Sequence, residues 1–166
     1  MSPILDSQTL DFVSHSVAQT RRLGERLAGF LSGGRVICLV GDLGSGKTCF
    51  VQGLGAGLGV KDPIVSPTFT LIREYRGSSN GLALYHVDLY RLDSGDIPGI
   101  GLGDYLDRGG VVAIEWADHL GDLAPGECLQ VEFRYLDETK RTLRFSARGD
   151  RYSALLQDYK RVLFGA

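Results

Sequence analysis

The chain has 166 residues, of which 43% are hydrophobic and 23% charged, and its formal net charge is −2. These values are typical of one globular domain and argue against a disordered chain or a membrane protein. The longest apolar runs, residues 36–40 and 111–114, are far shorter than the ~20 residues of a membrane-spanning helix. The first six residues lack a basic segment followed by an apolar stretch, so we expect a cytoplasmic protein with no membrane partner.

The cysteine content and the charge distribution limit the kinds of site that the chain can contain. Cys38, Cys49 and Cys128 are odd in number and form no C-x-x-C pattern, which argues against a disulfide framework and against a zinc site. Residues 134–166 carry a net charge of +4, which leaves −6 for residues 1–133. The basic segment is interpreted either as a local basic patch or as a solvated hairpin and helix.

The N-terminal third contains a helix, a buried strand and a second helix. Ser16 and Gln19 form a capping-box pattern before apolar residues at helical spacing, which predicts a helix that ends only at Gly33. Residues 35–40 are nearly all apolar and predict a strand covered on both faces. The helix predicted from Thr48 to about residue 58 contains three glycines, each costing ~1 kcal/mol relative to alanine, so it must depend on tertiary packing.

The middle of the chain is predicted to contain a hairpin, a loop and a short buried strand. Residues 69–76 and 82–90 have the composition of two strands joined by a turn. Residues 93–103 are rich in Gly, Pro, Asp and Ser and predict a mobile loop. The apolar residues Val111–Glu115 predict a second strand of the buried kind.

The last third is predicted to be an antiparallel hairpin followed by a helix. Residues 129–135 alternate between apolar and polar and are expected to pair with residues 142–147, and Asp150–Phe164 has the pattern of an amphipathic helix. The whole of residues 1–166 is therefore predicted to be a single α/β domain, a three-layer P-loop NTPase-like structure whose mixed parallel and antiparallel sheet is flanked by helices.

The motif with the clearest chemistry is Gly41-Asp-Leu-Gly-Ser-Gly-Lys-Thr48, which satisfies G-x-x-x-x-G-K-[ST] between a buried strand and a helix. Glycines at positions 44 and 46 allow backbone N–H groups to approach phosphates closely. Lys47 would supply a positive charge for the β and γ phosphates, and the Thr48 hydroxyl would be a Mg²⁺ ligand. This pattern predicts a nucleotide-binding loop.

Two acidic residues are candidates for the metal partner that such a loop requires. Glu115 ends a buried strand that should lie beside the strand before the loop. Asp88 shares one face of its strand with His86 and Tyr90 and could orient a water molecule or a metal-bound water. Either acid alone could also be an ordinary charge at a strand end, and two of the three histidines, His15 and His86, are interpreted as structural or exposed.

Other segments bear on the nucleotide. Residues 66–70 occupy the distance at which switch-like loops sense a γ phosphate, although they could equally be a loop leading into a strand. Trp116 either lines the nucleotide pocket or caps the core. The only asparagine, Asn80, is followed by Gly81, so the N-K-x-D motif of guanine-specific proteins is absent and ATP is the expected nucleotide.

Five ordered motifs together resemble the TsaE (YjeE) family of bacterial ATPases. They are Gly41-Asp-Leu-Gly-Ser-Gly-Lys-Thr48, Ser66-Pro-Thr-Phe-Thr-Leu71, Tyr85-His-Val-Asp-Leu-Tyr-Arg-Leu92, Gly101-Leu-Gly-Asp-Tyr-Leu106 and Ile114-Glu-Trp116. The resemblance implies an ATPase that acts with a TsaB–TsaD heterodimer in making threonylcarbamoyladenosine in tRNA, where TsaD performs the transfer and ATP hydrolysis resets the complex. It implies contact with tRNA only through that complex.

The resemblance also implies roles for individual residues. Thr48 and Glu115 would hold Mg²⁺, Asp88 and Lys47 would be catalytic, and Asp88 would be required for hydrolysis. The residues expected to bind the nucleotide are Gly41, Gly44, Ser45, Gly46, Lys47, Thr48, Cys49, Trp116, Arg141 and Val17. Ser45 and Cys49 replace the more usual Ala and Thr, and residues 94–99 contain fewer acidic and leucine residues than is usual in the family.

Two other functions remain open from the residues alone. A small-molecule kinase would suit a chain of this length with a phosphate loop, but an Arg-rich helical lid is not evident in the sequence. A nucleotide-gated binding module, in which ATP fixes the shape of residues 66–70, would require no hydrolysis.

Overall fold

The structure is a computed structural model that describes residues 8–67, 71–78, 81–93 and 95–165. Its strands are β1 Thr9–Ser14, β2 Val36–Gly41, β3 Ile72–Arg76, β4 Ala83–Asp88, β5 Val111–Glu115, β6 Cys128–Tyr135 and β7 Arg141–Arg148. Its α-helices are α1 Val17–Ala28, α2 Lys47–Gly57, α3 Leu102–Leu106 and α4 Asp150–Phe164, and two 3₁₀ segments cover Ile97–Ile100 and Ala117–Leu123.

The seven strands form one mixed sheet in the order β1-β7-β6-β2-β5-β4-β3. Strand β2 is parallel to both β5 and β6, and β4 is parallel to β5. The outer pairs β1–β7, β6–β7 and β3–β4 are antiparallel. Both predicted hairpins and the predicted neighbourhood of β2 and β5 are therefore present, and the predicted mixed α/β fold class is confirmed.

Side chains of the central strands alternate between two hydrophobic cores. On β2, Ile37 and Leu39 pack into the core beneath α1, α2 and α4, whereas Val36 and Cys38 pack into the core beneath α3 and the 3₁₀ segments. This alternation follows from the period of two residues in a strand. It explains why the central strands are almost continuously apolar, because both of their faces are covered.

Glycines allow α1 and α2 to pack with their backbones in close approach. A Cβ atom at Gly53 would lie 1.9 Å from the carbonyl oxygen of Arg21, and one at Gly24 would lie 2.2 Å from the carbonyl oxygen of Phe50. The glycines that weaken α2 as an isolated helix are thus the residues that bring it against α1. The expectation that this helix depends on tertiary packing is met by that contact.

Two elements near the N-terminus differ from the sequence prediction. Helix α1 ends at Ala28 rather than near Gly33, because its last amides turn to i−3 acceptors, as in the bond from Gly29 N–H to the Arg26 carbonyl. Strand β1 was not predicted, although Leu10 and Phe12 have the alternation of an edge strand. Sequence reasoning gave no element there.

The predicted mobile loop of residues 93–103 contains ordered structure in its second half. The 3₁₀ segment Ile97–Ile100 and the start of α3 lie there, because Ile97 and Leu102 are buried in the second core. Residues 69–70 of a predicted strand, residues 68–70 of the predicted switch-like loop and residues 79–80 of the hairpin turn lie outside the described residues. Within the described chain, no helix combines the length and apolar character needed to cross a bilayer.

Candidate functional site

A cleft of about 550 Å³ lies at the carboxyl ends of three adjacent parallel strands. Strand β2 ends there at Gly41, β4 at Asp88 and β5 at Glu115. Asp88 and Glu115 are paired in the β4–β5 register, so the two acids lie side by side. This edge of an α/β sheet is where loops and helix N-termini converge on ligands.

The loop between β2 and α2 adopts a conformation that only its glycines accommodate easily. Gly44 has φ 76° and Gly46 has φ 107°, both in the left-handed region, and α2 begins directly after Gly46. A Cβ at Gly44 would meet no protein atom within 4 Å. Glycine is therefore favoured at this position by the backbone conformation, and it leaves the space in front of the loop open. The N-terminus of α2 directs unpaired N–H groups to this space, which favours an anion.

Lys47 lies across the mouth of the loop with only 4% of its surface exposed. Its ammonium group donates to the carbonyl oxygens of Gly41 and of Asp42, the latter at 2.8 Å, and lies 4.2 Å from the centre of the Trp116 ring. Burial lowers the pKa of Lys47, and the carboxylates of Glu115 and Asp88 oppose that shift. The cation is thus held by the loop and by the acids at the strand ends.

Glu115 connects three elements at the floor of the cleft. The Thr48 hydroxyl on α2 lies 3.0 Å from both of its carboxylate oxygens, and His86 Nε2 on β4 lies 2.5 Å from its Oε2 atom. Glu115 is 3% exposed and His86 is fully buried. His86 was interpreted from the sequence as structural or exposed. In the structure it is buried and contacts Glu115, a predicted metal ligand.

Asp88 is also held by two hydrogen bonds. Ser66 donates its hydroxyl to Asp88 Oδ2 at 2.6 Å, and the Tyr90 amide donates to Oδ1 at 3.0 Å. Asp88 is 9% exposed and lines the cleft. Because a carboxylate oxygen can accept more than one hydrogen bond, both oxygens retain acceptor capacity toward the cleft.

Trp116 forms an aromatic wall on one side. Its ring lies 4.9 Å from that of Tyr90 and 5.5 Å from that of His119, measured between centres. Trp116 has φ 59°, an uncommon conformation for a residue with a side chain. The ring lines the cleft and also packs against the second core, so the structure does not choose between the two open interpretations.

The opposite rim is formed by α1 and by the β6–β7 hairpin. Val17, 58% exposed, opens α1, where Ser16 accepts a hydrogen bond from the Gln19 amide, as the capping-box pattern predicted. Arg141 reaches across from β7, with Nη2 3.3 Å from the Gly44 carbonyl oxygen and the guanidinium 4.6 Å from the centre of the Tyr135 ring. Both predicted residues thus face the loop.

The structure brings nearly all of the predicted site residues to this one cleft. Those that line it are Val17, Gly44, Ser45, Gly46, Lys47, Thr48, Cys49, Asp88, Glu115, Trp116 and Arg141. Gly41 does not line it; its contribution is the carbonyl that accepts from Lys47. Further lining residues were not predicted, among them Tyr90, Glu138 and Thr139. Tyr90 was signalled by sharing a strand face with Asp88, whereas the two hairpin residues carried no sequence signal.

The family model described as threonylcarbamoyl adenosine biosynthesis protein TsaE matches residues 14–143. The chain belongs to the TsaE family. The proteins named tRNA threonylcarbamoyladenosine biosynthesis protein TsaE include relatives in Bacillus subtilis and Nostoc. The first is 37% identical, over 86% of this chain and 89% of its own. The second is 43% identical, over 82% of this chain and 85% of its own.

A solved structure supports the same assignment of this TsaE-family chain. The crystal structure of YdiB from Bacillus subtilis superposes with a TM-score of 0.81 and 33% sequence identity, covering 93% of this chain and 96% of that one. A further relative named TsaE, from Treponema pallidum, is 40% identical over 79% of this chain and 96% of its own. The similarity thus extends over nearly the full length of these proteins.

Proposed function

We propose that this TsaE-family chain is a Mg²⁺-dependent ATPase subunit in the biosynthesis of threonylcarbamoyladenosine in tRNA. The observation that carries the proposal is the convergence of Lys47, Thr48, Glu115 and Asp88 on one cleft at the start of α2. A phosphate loop, a cation, an oxygen ligand pair and a second carboxylate are the parts that P-loop phosphoryl transfer requires.

The loop residues bind and orient the phosphates. The amides at the start of α2 present N–H donors and the positive end of the helix dipole, and the glycines keep that surface free of side chains. Lys47 is already oriented at the loop mouth and exchanges its carbonyl partners for phosphate oxygens. Its low exposure strengthens this interaction, because charges attract more strongly where water is excluded.

Thr48 and Glu115 have the chemistry that Mg²⁺ requires. Thr48 uses its one hydroxyl proton toward Glu115, so its lone pairs are available for a cation, and both ligands are oxygen atoms. Among the described residues no group of three or more His, Cys, Asp or Glu side chains is arranged as a metal site. The pair of Thr48 and Glu115 suits Mg²⁺, which binds through one or two protein ligands plus phosphates and water. Bound Mg²⁺ would neutralise charge on the phosphates.

Asp88 is assigned the hydrolytic role. Its carboxylate is fixed by Ser66 and the Tyr90 amide and keeps acceptor capacity toward the cleft, so it can orient a water molecule and take its proton. Fixing the carboxylate before the substrate arrives reduces the entropy lost on reaching the reactive geometry.

The partners are proposed from the family as a TsaB–TsaD heterodimer, which ATP hydrolysis would reset between turnovers. Contact with tRNA would be indirect. Four arginines of the basic C-terminal segment lie within 3.6 Å of carboxylates, which partly neutralise their charge. This reduces the positive charge that the segment could offer to tRNA and supports indirect contact. These arginines are Arg134, Arg144, Arg151 and Arg161.

The test is phosphate release from Mg·ATP by the purified chain, alone and with TsaB and TsaD. We expect the two partners together to stimulate release, and omission of Mg²⁺ to abolish it. ATP binding without phosphate release in either condition would contradict the ATPase assignment and favour a nucleotide-gated binding module. Rapid ATP-dependent phosphorylation of a metabolite would favour a kinase instead.

A further inference from the structure

A buried histidine supports the carboxylate that is proposed to hold Mg²⁺. His86 lies in the middle of β4 on the same sheet face as Asp88, is fully buried, and contacts Glu115 Oε2 through Nε2 at 2.5 Å. The β4–β5 register pairs His86 with Ala113, so that its ring approaches Glu115 diagonally. His86 is not among the residues that line the cleft, whereas Glu115, which it contacts, is one of them.

The hydrogen-bond pattern indicates which ring nitrogen carries the proton. Nδ1 of His86 is buried and has no hydrogen-bond partner in residues 8–67, 71–78, 81–93 and 95–165. A proton on Nδ1 would be an unsatisfied buried donor and would leave the lone pair of Nε2 facing the carboxylate of Glu115. A proton on Nε2 donates to Glu115 and leaves only an acceptor unpaired, which is the less costly arrangement.

We propose that His86, donating its Nε2–H to Glu115, is a positioning residue that fixes the Glu115 carboxylate for Mg²⁺ binding. The proposal rests on the function proposed above. Thr48 contacts the carboxylate from α2 and His86 contacts it from β4, so the group is held from two directions. A histidine that hydrogen-bonds a metal-binding carboxylate orients it without touching the metal.

Of the two residues that hold the Glu115 carboxylate by hydrogen bonds, only Thr48 would remain without His86. The neighbouring Lys47 ammonium, which interacts favourably with the Glu115 charge, would then compete for the carboxylate. Pairing of Glu115 with Lys47 would withdraw the oxygen ligand from the cation and the ammonium from the phosphates. The orientation imposed by His86 keeps these two charged groups available for separate tasks.

The experiment measures Mn²⁺, as a paramagnetic substitute for Mg²⁺, binding to the ATP-loaded protein by electron paramagnetic resonance. For His86→Ala we expect ~10-fold weaker Mn²⁺ binding, the lower end of the effect of removing such a support. ATP binding in EDTA should weaken by a smaller factor than Mn²⁺ binding, because only the contribution of Lys47 to phosphate binding is affected and the loop amides remain. His86→Gln, which restores an N–H donor, should recover part of the Mn²⁺ affinity.

The matched control is Leu84→Ala, a truncation of a fully buried side chain on the same face of β4, two residues earlier. We expect it to lower stability and leave Mn²⁺ affinity unchanged. Unchanged Mn²⁺ affinity in His86→Ala, or an equal loss in Leu84→Ala, would overturn the positioning role while leaving the proposed function intact. A wild-type protein that binds no Mn²⁺·ATP would overturn both.

A second measurement uses the wild-type protein as its main sample and Glu115→Gln as the comparison. The ¹⁵N chemical shifts of the His86 ring at neutral pH should show a protonated Nε2 and an unprotonated Nδ1. The Glu115→Gln variant should change the Nε2 shift and leave that of His119, a histidine bonded to backbone carbonyls, unchanged. A proton on Nδ1 in the wild-type protein would refute the proposal.

Discussion

The hydroxyl of Thr48, on the first turn of α2, lies 3.0 Å from both carboxylate oxygens of Glu115, at the end of β5. This contact joins the phosphate loop to the neighbouring parallel strand. Thr48→Ala removes a proposed Mg²⁺ ligand and should weaken the apparent Mg²⁺ affinity, measured from nucleotide binding at varied Mg²⁺, by at least ~10-fold, the effect that loss of an indirect support already has. Thr48→Ser keeps the hydroxyl and is the control; an equal loss in both variants would contradict the ligand role.

Asp88→Asn should separate binding from hydrolysis. The amide oxygen can still accept from Tyr90 N–H, and the Ser66 hydroxyl can turn to accept from the amide nitrogen, so the local structure should persist. We expect ATP affinity close to that of the wild type and hydrolysis, assayed with TsaB and TsaD, lower by ~10²–10⁴-fold. Ser66→Ala removes only the support and should have a smaller effect. Normal turnover in Asp88→Asn would exclude a catalytic role for this carboxylate.

Lys47→Met should abolish nucleotide binding, measured by calorimetry, because the phosphates lose the positive charge of the ammonium group.

The Lys47→Met variant should also change how the free energy of unfolding depends on pH. Burial lowers the pKa of Lys47 below 10.5, so as pH rises toward 10.5 the folded chain releases this proton before the unfolded chain does. The free energy of unfolding of the wild type should therefore rise, relative to Lys47→Met, as pH increases toward 10.5. Urea unfolding at about pH 7.5 and 9.5 measures this difference, and parallel pH profiles would contradict it.

Gly53→Ala should destabilise the fold without touching the cleft. Its Cβ would lie 1.9 Å from the Arg21 carbonyl oxygen, so α1 and α2 would have to separate. We expect a loss of ~1–3 kcal/mol, the range for overpacking, and a clear fall in the thermal midpoint. Gly103→Ala is the control, because a Cβ on that residue of α3 meets no atom within 4 Å. Equal midpoints for the two variants would show that the helices adjust freely.

Arg141→Ala should weaken ATP binding by less than the loss of Lys47 does. The guanidinium lies at the rim, 3.3 Å from the Gly44 carbonyl oxygen, and interactions of partly exposed charges contribute up to ~1 kcal/mol, or about fivefold in affinity. Arg134→Ala, on the same hairpin but paired with Glu132, is the matched control and should bind ATP as the wild type does. Equal affinities in both variants would remove Arg141 from the nucleotide contacts.

The parts of the fold that depend on neighbouring residues could be predicted from the sequence. The phosphate loop could be predicted because the left-handed conformations at Gly44 and Gly46 depend on residue type and immediate neighbours. The hairpin strands and α4 could be predicted because the spacing of apolar residues along the chain shows the period of a strand or of a helix. Strand β1 was missed and residues 97–102 were taken for a loop, because both become ordered only by burying a few apolar side chains against distant elements.

The contacts of the two acids became visible only in the folded protein. From the residues alone, Glu115 and Asp88 were both candidates for the metal partner. The sheet order places β5, not β4, next to β2, and this brings Glu115 to the Thr48 hydroxyl and Asp88 to Ser66. The contact of His86 with Glu115 depends on the same register. The apolar composition of β5 predicted its place beside β2, but the side-chain contacts of the two acids depend on the register of the whole sheet, so no spacing along the chain could have specified them.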